Sequence, residues 1–170
     1  SLIRTDQEKA VESLEDFSDY LRANLDVMTS DNLISFEKEL AHIEAFTALA
    51  LADESKNIKV EYDIREKYFR LPPLTAEPFV ENAIRHGVPN GGTVNISTFA
   101  EDSTAVIVII DDGAGYDAGA VSEDSDRKSP GVGIRNAKER IETLTGGSVS
   151  IQSSENGTTV TIRIPIETVG

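Results

Sequence analysis

The chain has 170 residues, no cysteine and a formal net charge of −14, from 16 lysines and arginines against 30 aspartates and glutamates. Without cysteine it cannot form disulfides, thiolate metal sites or a cysteine nucleophile, and no apolar run is long enough to span a bilayer. The acidic balance argues against a reader of nucleic-acid backbones, which needs a basic face, so we expect no nucleic-acid partner.

Residues 1–57 have the pattern of a helical hairpin. Apolar residues three and four apart predict a helix over residues 2–27, with Leu14 and Leu21 on its buried face. Turn-forming residues at 29–32 end it, and a second helix is predicted over Ser35–Ala52, with Ser35 as N-cap. The short link between the helices indicates an antiparallel arrangement.

Residues 58–170 have a mixed pattern of strands and helices. Alternating or β-branched apolar residues predict five strands, at 58–64, 93–99, 105–110, 149–151 and 160–164. The continuous run at 105–110 predicts a strand buried on both faces. Helices are predicted at 75–86 and 134–144, and a long loop at 116–130. The fold class is therefore α+β, a two-layer α/β sandwich with a mixed sheet and helices on one face, preceded by the hairpin.

A first motif, Glu81-Asn82-Ala83-Ile84-Arg85-His86-Gly87, ends the helix predicted at 75–86. Asn82, Arg85 and His86 are three and four residues apart, which places them on one helix face. A side-chain amide oxygen can join the shell of Mg²⁺ without adding charge, and an arginine can bind phosphate.

A second motif, Asp111-Asp112-Gly113-Ala114-Gly115, directly follows the buried strand. A carboxylate there can accept a hydrogen bond from an exocyclic amine such as that of adenine. Gly113 and Gly115 allow a flat group to approach the backbone closely.

A third motif, Gly131-Val132-Gly133, ends the long loop and begins a helix, where free N–H groups form a natural phosphate site. Residues 127–140 carry five basic side chains and one acidic one, an island that we expect to face a polyphosphate. A fourth motif, Gly157-Thr158-Thr159, opens the last strand.

Each motif alone has an ordinary explanation. An Asp-x-Gly-x-Gly segment is usually a turn, and the spacing of a calcium-binding EF-hand is absent. The Gly-x-Gly segment follows a loop rather than a strand, so a dinucleotide-binding fingerprint does not apply. The joint occurrence of all the motifs, in one order and each on a suitable element, favours a nucleotide site.

Together the motifs strongly resemble the GHKL (Bergerat-fold) ATP-binding domain of sensor histidine kinases, in particular the LytS/YehU type. The resemblance covers essentially the whole chain and is most specific at residues 72–87 and 111–115. It implies a catalytic ATP-binding domain at 58–170, and at 1–57 the C-terminal part of the dimerisation and phosphoacceptor region.

By that resemblance the nucleotide cofactor is ATP with Mg²⁺. Asn82 would coordinate the Mg²⁺ ion and Asp111 would bind the adenine amine. The adenine pocket would also contain Gly113, Gly115 and Thr159. Residues 116–130 would form the ATP lid. Phosphates would lie at the helix start, against Gly131 and Gly133.

The resemblance assigns the remaining site residues to the first motif. Arg85 and His86 would face the nucleotide. Glu81 occupies a position where this type keeps an acidic residue, and we expect it to orient water or the attacking imidazole. Glu81, Asn82 and Arg85 are thus the expected catalytic residues. Hydrolytic GHKL enzymes place their general base four residues before the asparagine, where this chain has Pro78.

The implied activity is that of a protein-histidine kinase, which transfers the γ-phosphoryl group of ATP to a histidine and then to a response regulator. In this type the acceptor lies in a Pro-His-Phe-Leu-Phe-Asn stretch, which does not occur here, so we expect it upstream of residue 1 and expect no self-phosphorylation. His42, on the second helix, is expected to be structural. The alternative is a regulatory module that binds ATP without transferring phosphate.

The resemblance also implies a cytoplasmic domain of a homodimeric parent protein anchored in the bacterial inner membrane.

Overall fold

The computed structural model describes residues 32–113 and 132–166, together with Ala10 and Leu14. Ala10 and Leu14 are helical, whereas the rest of the predicted first helix and the predicted loop at 116–130 lie outside the described residues. The division of the chain after residue 57 stays a prediction. No helix in the described part of the chain is both long and apolar enough to cross a membrane.

The second predicted helix is present as α1, Phe36–Leu51. Its first turn is fixed by Ser35, whose side-chain oxygen accepts the Lys38 N–H at 3.4 Å. Just before it, β1 (Ile34–Ser35) pairs antiparallel with β3 (Arg70–Leu71), and the Phe36 ring stacks on Phe69 with centroids 4.6 Å apart. The start of α1 is therefore attached to the segment that precedes the first motif.

The main sheet has five strands in the order β2-β4-β5-β7-β6. They are β2 (Ile58–Ile64), β4 (Gly92–Glu101), β5 (Thr104–Asp111), β6 (Ser148–Ser154) and β7 (Gly157–Pro165). The β2–β4 pair is parallel and the other three pairs are antiparallel. This mixed sheet confirms the predicted fold class.

The crossover that a parallel pair requires contains α2, Glu77–Asn82, which continues as a π-helical turn over Ala83–Gly87. The helix begins two residues later than predicted, because Leu74 is left-handed, with φ +51°, and Thr75 Oγ1 donates to the Pro72 carbonyl at 2.6 Å. At the other end, the Val88 N–H donates to the Ala83 carbonyl at 3.0 Å, five residues back.

A single hydrophobic core lies between one face of the sheet and three helices, which are α1, α2 and α3 (Val132–Thr145). Fully buried side chains of this core include Phe36, Ile43, Phe46, Phe79, Ile96, Ile107, Ile141 and Ile162. The prediction that β5 is buried on both faces is wrong near its end: Ile109 is 1% exposed, whereas its neighbour Ile110, on the outer face, is 41% exposed.

Candidate functional site

Asp111 lies at the end of β5 with only 5% of its surface exposed. Its Oδ1 accepts the Gly113 N–H at 3.2 Å, and it also accepts the backbone N–H of Thr158. Burial raises the pKa of Asp111, the nearby negative charge of Asp112 adds to this, and the two N–H donors oppose it. Because a carboxylate offers about four acceptor positions, Asp111 can still accept from a ligand amine.

Three glycines form the immediate surroundings of Asp111. A Cβ at Gly87 would lie 2.5 Å from the Asp111 Cγ, one at Gly113 would overlap the Gly87 carbonyl oxygen, and one at Gly157 would overlap the Asp111 carbonyl oxygen. The backbone therefore packs directly against the carboxylate and leaves no room for other side chains. Gly113 was expected in this pocket from the sequence. The sequence did not predict that Gly87 and Gly157 lie against Asp111, although Gly87 is the last residue of the first motif and Gly157 is the first residue of the fourth.

The expected catalytic residues lie at the end of α2 and in its π-helical turn. The Glu81 carboxylate pairs with the Arg85 guanidinium, with Oε1 and Nη1 3.3 Å apart. Asn82 and His86 are exposed and Arg85 is partly buried. The chain thus presents a neutral amide, an imidazole and an arginine to solvent near the Gly87–Asp111 contact, which is compatible with their expected roles.

The placement of Thr159 in the adenine pocket stays a prediction, and the strand register adds Thr158 as a second candidate. In the ladder between β5 and β7, Thr158 is the partner of Asp111, and Thr159 is the partner of Ile110. Side chains alternate between faces along a strand, so Thr159 lies on the outer face, opposite the Asp111 carboxylate. It lines a cleft of about 310 Å³ whose other lining residues include Asp111, Ile110, Gln152 and Gly157. Thr158 is the residue of this motif that lies beside Asp111.

Of the two glycines expected at the phosphates, Gly133 lies exposed in the first turn of α3. Gly131 lies outside the described residues, as does Gly115, which was expected in the adenine pocket. The basic island is smaller than the sequence suggests. The Arg140 guanidinium Nη1 donates to the Pro73 carbonyl at 2.6 Å, and burial lowers its pKa. Arg140 therefore points toward the interior rather than toward a ligand.

A metal at this site would depend on very few protein ligands. The described residues contain no group of three or more His, Cys, Asp or Glu side chains able to hold a metal ion. The exposed amide of Asn82 fits Mg²⁺, which commonly keeps several waters and is held by one or two protein oxygens together with substrate phosphates. The donor set is therefore compatible with Mg²⁺ carried by a nucleotide.

Glu39 has a structural role that the sequence did not predict. Glu39 of α1 is completely buried and its carboxylate accepts four backbone N–H groups from the segment that leads into α2. From the sequence, Glu39 is only a favourable acidic residue in the first turn of the helix, because its spacing from these partners, 35 to 38 residues, leaves no local signal for the contact.

Comparison with known proteins agrees with this geometry. The family described as histidine kinase-, DNA gyrase B- and HSP90-like ATPase matches residues 75–168. The chain is 28% identical to the sensor protein LytS of Oceanobacillus iheyensis over 97% of its length. It is 32% identical to the sensor histidine kinase YpdA of Escherichia coli K12, also over 97%.

The chain spans 30% of the length of LytS and 30% of YpdA. Among solved structures, the histidine kinase AdeS of Acinetobacter baumannii superposes with a TM-score of 0.60 at 20% sequence identity, covering 99% of this chain and 86% of that one. This likeness supports the fold.

Proposed function

Since the chain belongs to the histidine kinase-, DNA gyrase B- and HSP90-like ATPase family and is homologous to LytS-type sensor kinases, we propose that it is the ATP-binding catalytic part of a two-component sensor histidine kinase. The family implies ATP as the ligand. The proposed reaction moves the γ-phosphoryl group of ATP to an imidazole nitrogen of a histidine outside this chain, and then to an aspartate of a response regulator.

The observation that carries the proposal is the buried Asp111 carboxylate, enclosed by Gly87, Gly113 and Gly157. A polar, glycine-walled position at a strand end suits a planar base that donates an amine hydrogen. The remaining acceptor capacity of Asp111 would bind that amine, and Thr158, beside it in the ladder, would border the same pocket.

The phosphate end of the nucleotide is assigned to α2 and the start of α3. Asn82 would offer its amide oxygen to Mg²⁺, which when bound neutralises charge on the phosphates during transfer. Arg85, partly buried and already oriented by Glu81, would contribute positive charge, and Gly133 would expose backbone N–H groups at the start of α3. Glu81 is proposed to hold Arg85 in place and to orient the incoming imidazole.

The partners of the whole protein are part of the same proposal. We assign a response regulator as the phosphoryl acceptor and a second copy of the parent protein as the dimer partner. A cytoplasmic position, with the parent anchored in the bacterial inner membrane, also belongs to the proposal.

Equilibrium binding of ATP, measured with and without Mg²⁺, tests the site. Asp111→Asn is expected to weaken binding by about 10-fold to 100-fold under both conditions, as for loss of a hydrogen bond to a charged group. Asn82→Ala is expected to weaken binding only when Mg²⁺ is present. The matched control is Asp102→Asn, the same change at an exposed residue in the turn at the opposite end of β5.

The site assignment is wrong if Asp111→Asn and Asn82→Ala both bind ATP like the parent chain. Phosphoryl transfer is tested separately, by incubating a chain extended upstream to include an acceptor histidine with ATP. Acid-labile, base-stable phosphohistidine is the expected product. Bound ATP without phosphohistidine would favour the regulatory module.

A further inference from the structure

The buried Glu39 carboxylate joins α1 to the segment that leads into α2. Its Oε2 accepts the Leu74 N–H at 2.9 Å. Its Oε1 accepts three more N–H groups, from Thr75 at 2.9 Å, Ala76 at 2.9 Å and Glu77 at 3.1 Å. Ala76, the residue before α2, provides no capping side chain of its own. A residue of one helix therefore satisfies the first N–H groups of another.

The segment that presents these N–H groups has a demanding conformation. Leu74 has φ +51°, a left-handed conformation that a leucine seldom adopts. The Thr75 hydroxyl donates to the Pro72 carbonyl at 2.6 Å and thereby closes the turn. Because strained backbone persists only where its surroundings over-determine it, Glu39 is a main source of that constraint.

Arg140 of α3 contacts the same segment. Its Nη1 donates to the Pro73 carbonyl at 2.6 Å, and its positive charge interacts favourably with Glu39. Three helices thus meet at residues 72–77: α1 through Glu39, α2 through its own first turn, and α3 through Arg140. α2 carries Asn82, and α3 begins at the proposed phosphate site.

A displacement of α1 relative to this segment would separate the Glu39 carboxylate from its donors. A buried carboxylate without hydrogen-bond partners is strongly unfavourable, so α1 and the start of α2 are expected to move together. Glu39 is therefore placed to transmit a shift of α1 to Asn82, one and a half turns further along α2.

We propose that Glu39 is a positioning residue that couples α1 to the Mg²⁺-dependent part of ATP binding by setting the position of α2. This inference rests on the proposed function, because it requires that Asn82 contact the Mg²⁺ of a bound nucleotide. Asp111 lies on β5 and meets the continuation of α2 only at its far end, through Gly87, so the adenine end of the site is expected to depend on Glu39 less than Asn82 does. That separation distinguishes positioning from a general loss of structure.

The test measures the dissociation constant of the chain for ATP in EDTA and in Mg²⁺, and divides the value in EDTA by the value in Mg²⁺. In Glu39→Gln the amide group has the same shape but carries no charge and would turn N–H donors toward the Leu74 N–H. We expect this ratio to fall by about 5-fold to 10-fold, the lower range of typical coupling between sites, while binding in EDTA changes less than binding with Mg²⁺. Glu37→Gln, at an exposed position of the same turn, is the matched control and should keep the parent ratio.

A second variant, Glu39→Asp, keeps the charge, but its side chain is too short to reach all four donors. It tests the positioning role of Glu39 if Glu39→Gln does not fold. It should show the same selective loss, together with faster hydrogen exchange at residues 81–87. A folded variant that keeps the parent ratio, or that loses affinity equally with and without Mg²⁺, overturns the inference. Failure of the parent chain to bind ATP at all would instead overturn the proposed function.

Discussion

Gly113 is required by contact rather than by its backbone angle. An added Cβ would overlap the Gly87 carbonyl oxygen, and the Gly87 backbone in turn lies against Asp111. Gly113→Ala would therefore push Gly87 or Asp111 out of position. We expect it to lower the free energy of unfolding by about 1–3 kcal/mol, as in other overpacked sites, and to weaken ATP binding by at least about 10-fold, as for a lost hydrogen bond to a charged group.

Urea unfolding and ATP titration of the purified variant measure the two effects. Gly133→Ala is the structural control, because its added Cβ would approach no closer than 3.9 Å, to the Pro78 side chain. Its unfolding midpoint should match the parent. Equal stability of Gly113→Ala and Gly133→Ala would contradict the crowding around Asp111.

The position of Asp111 at the end of β5 could be predicted from the sequence, because an acidic residue that ends a β-branched run and precedes Gly113 is a local signal. The register of β7 could not be predicted. A pattern of period two gives the alternation of faces, but not which residue of the Thr158-Thr159 pair lies opposite Asp111. Glu39 had no local signal, since its role depends on backbone N–H groups that only the folded chain brings to it.

At the level of elements, α1 belongs to the core of the nucleotide-binding fold. Phe36, Ile43 and Phe46 are fully buried in the same cluster as Phe79 of α2 and Ile96 of β4. The sequence predicted α1 correctly, but its periodicity could not reveal what its apolar face would contact. The packing places α1 in the same core as α2, α3 and the five-stranded sheet.

Removal of residues 1–57 is therefore expected to destabilise the remainder severely. Burying each large α1 side chain contributes about 1.5–3 kcal/mol, so the loss of three should exceed about 4 kcal/mol. Chemical unfolding of a 58–170 chain should begin at much lower denaturant, or show no cooperative transition, when compared with a 32–170 chain. Equal midpoints for the two chains would show that α1 is a separate unit.

The end of α2 shows a second limit of sequence patterns. A continuous α-helix was predicted through residue 86, but the π-helical turn over Ala83–Gly87 adds a residue to the last turn. That turn ends with the Gly87 backbone against Asp111, a tertiary contact that local propensity does not encode. Such widened turns are frequent at functional sites, and here the turn contains Arg85 and His86.

For the whole molecule, the net charge of −14 does not show which carboxyl groups are buried, and two of these groups affect how stability depends on pH. Glu39 and Asp111 are both buried, and burial raises the pKa of each above its ordinary value. At Glu39 the backbone N–H donors and, to a smaller extent, the electrostatic interactions with His42 and Arg140 oppose this increase, and at Asp111 the charge of Asp112 adds to it. Both groups therefore bind protons more tightly in the folded chain than in the unfolded one.

This difference determines how stability depends on pH. A carboxyl group with a raised pKa contributes stability that is complete below its ordinary pKa, 4.5 for Glu39, and that is lost as pH rises through the folded value. Mild acidification also reduces repulsion among the excess carboxylates of a chain with a pI near 4.5. We expect the free energy of unfolding to increase as pH falls from about 8 toward 5.5, measured by urea unfolding at each pH.

The two contributions to this pH dependence can be separated. High salt screens repulsion between exposed charges but acts little on buried groups, so the increase that remains in 1 M NaCl is assigned to Glu39 and Asp111. Glu39→Gln should remove part of that remainder, since glutamine does not titrate, whereas Glu37→Gln should leave it unchanged. Carboxylates with lowered pKa values, such as those of Asp53 and Glu61, lose their contribution to the free energy of unfolding only below this pH range.

A free energy of unfolding that decreases as pH falls from 8 to 5.5 would contradict this prediction. It would show that the four N–H donors stabilise ionised Glu39 by more than its burial destabilises it.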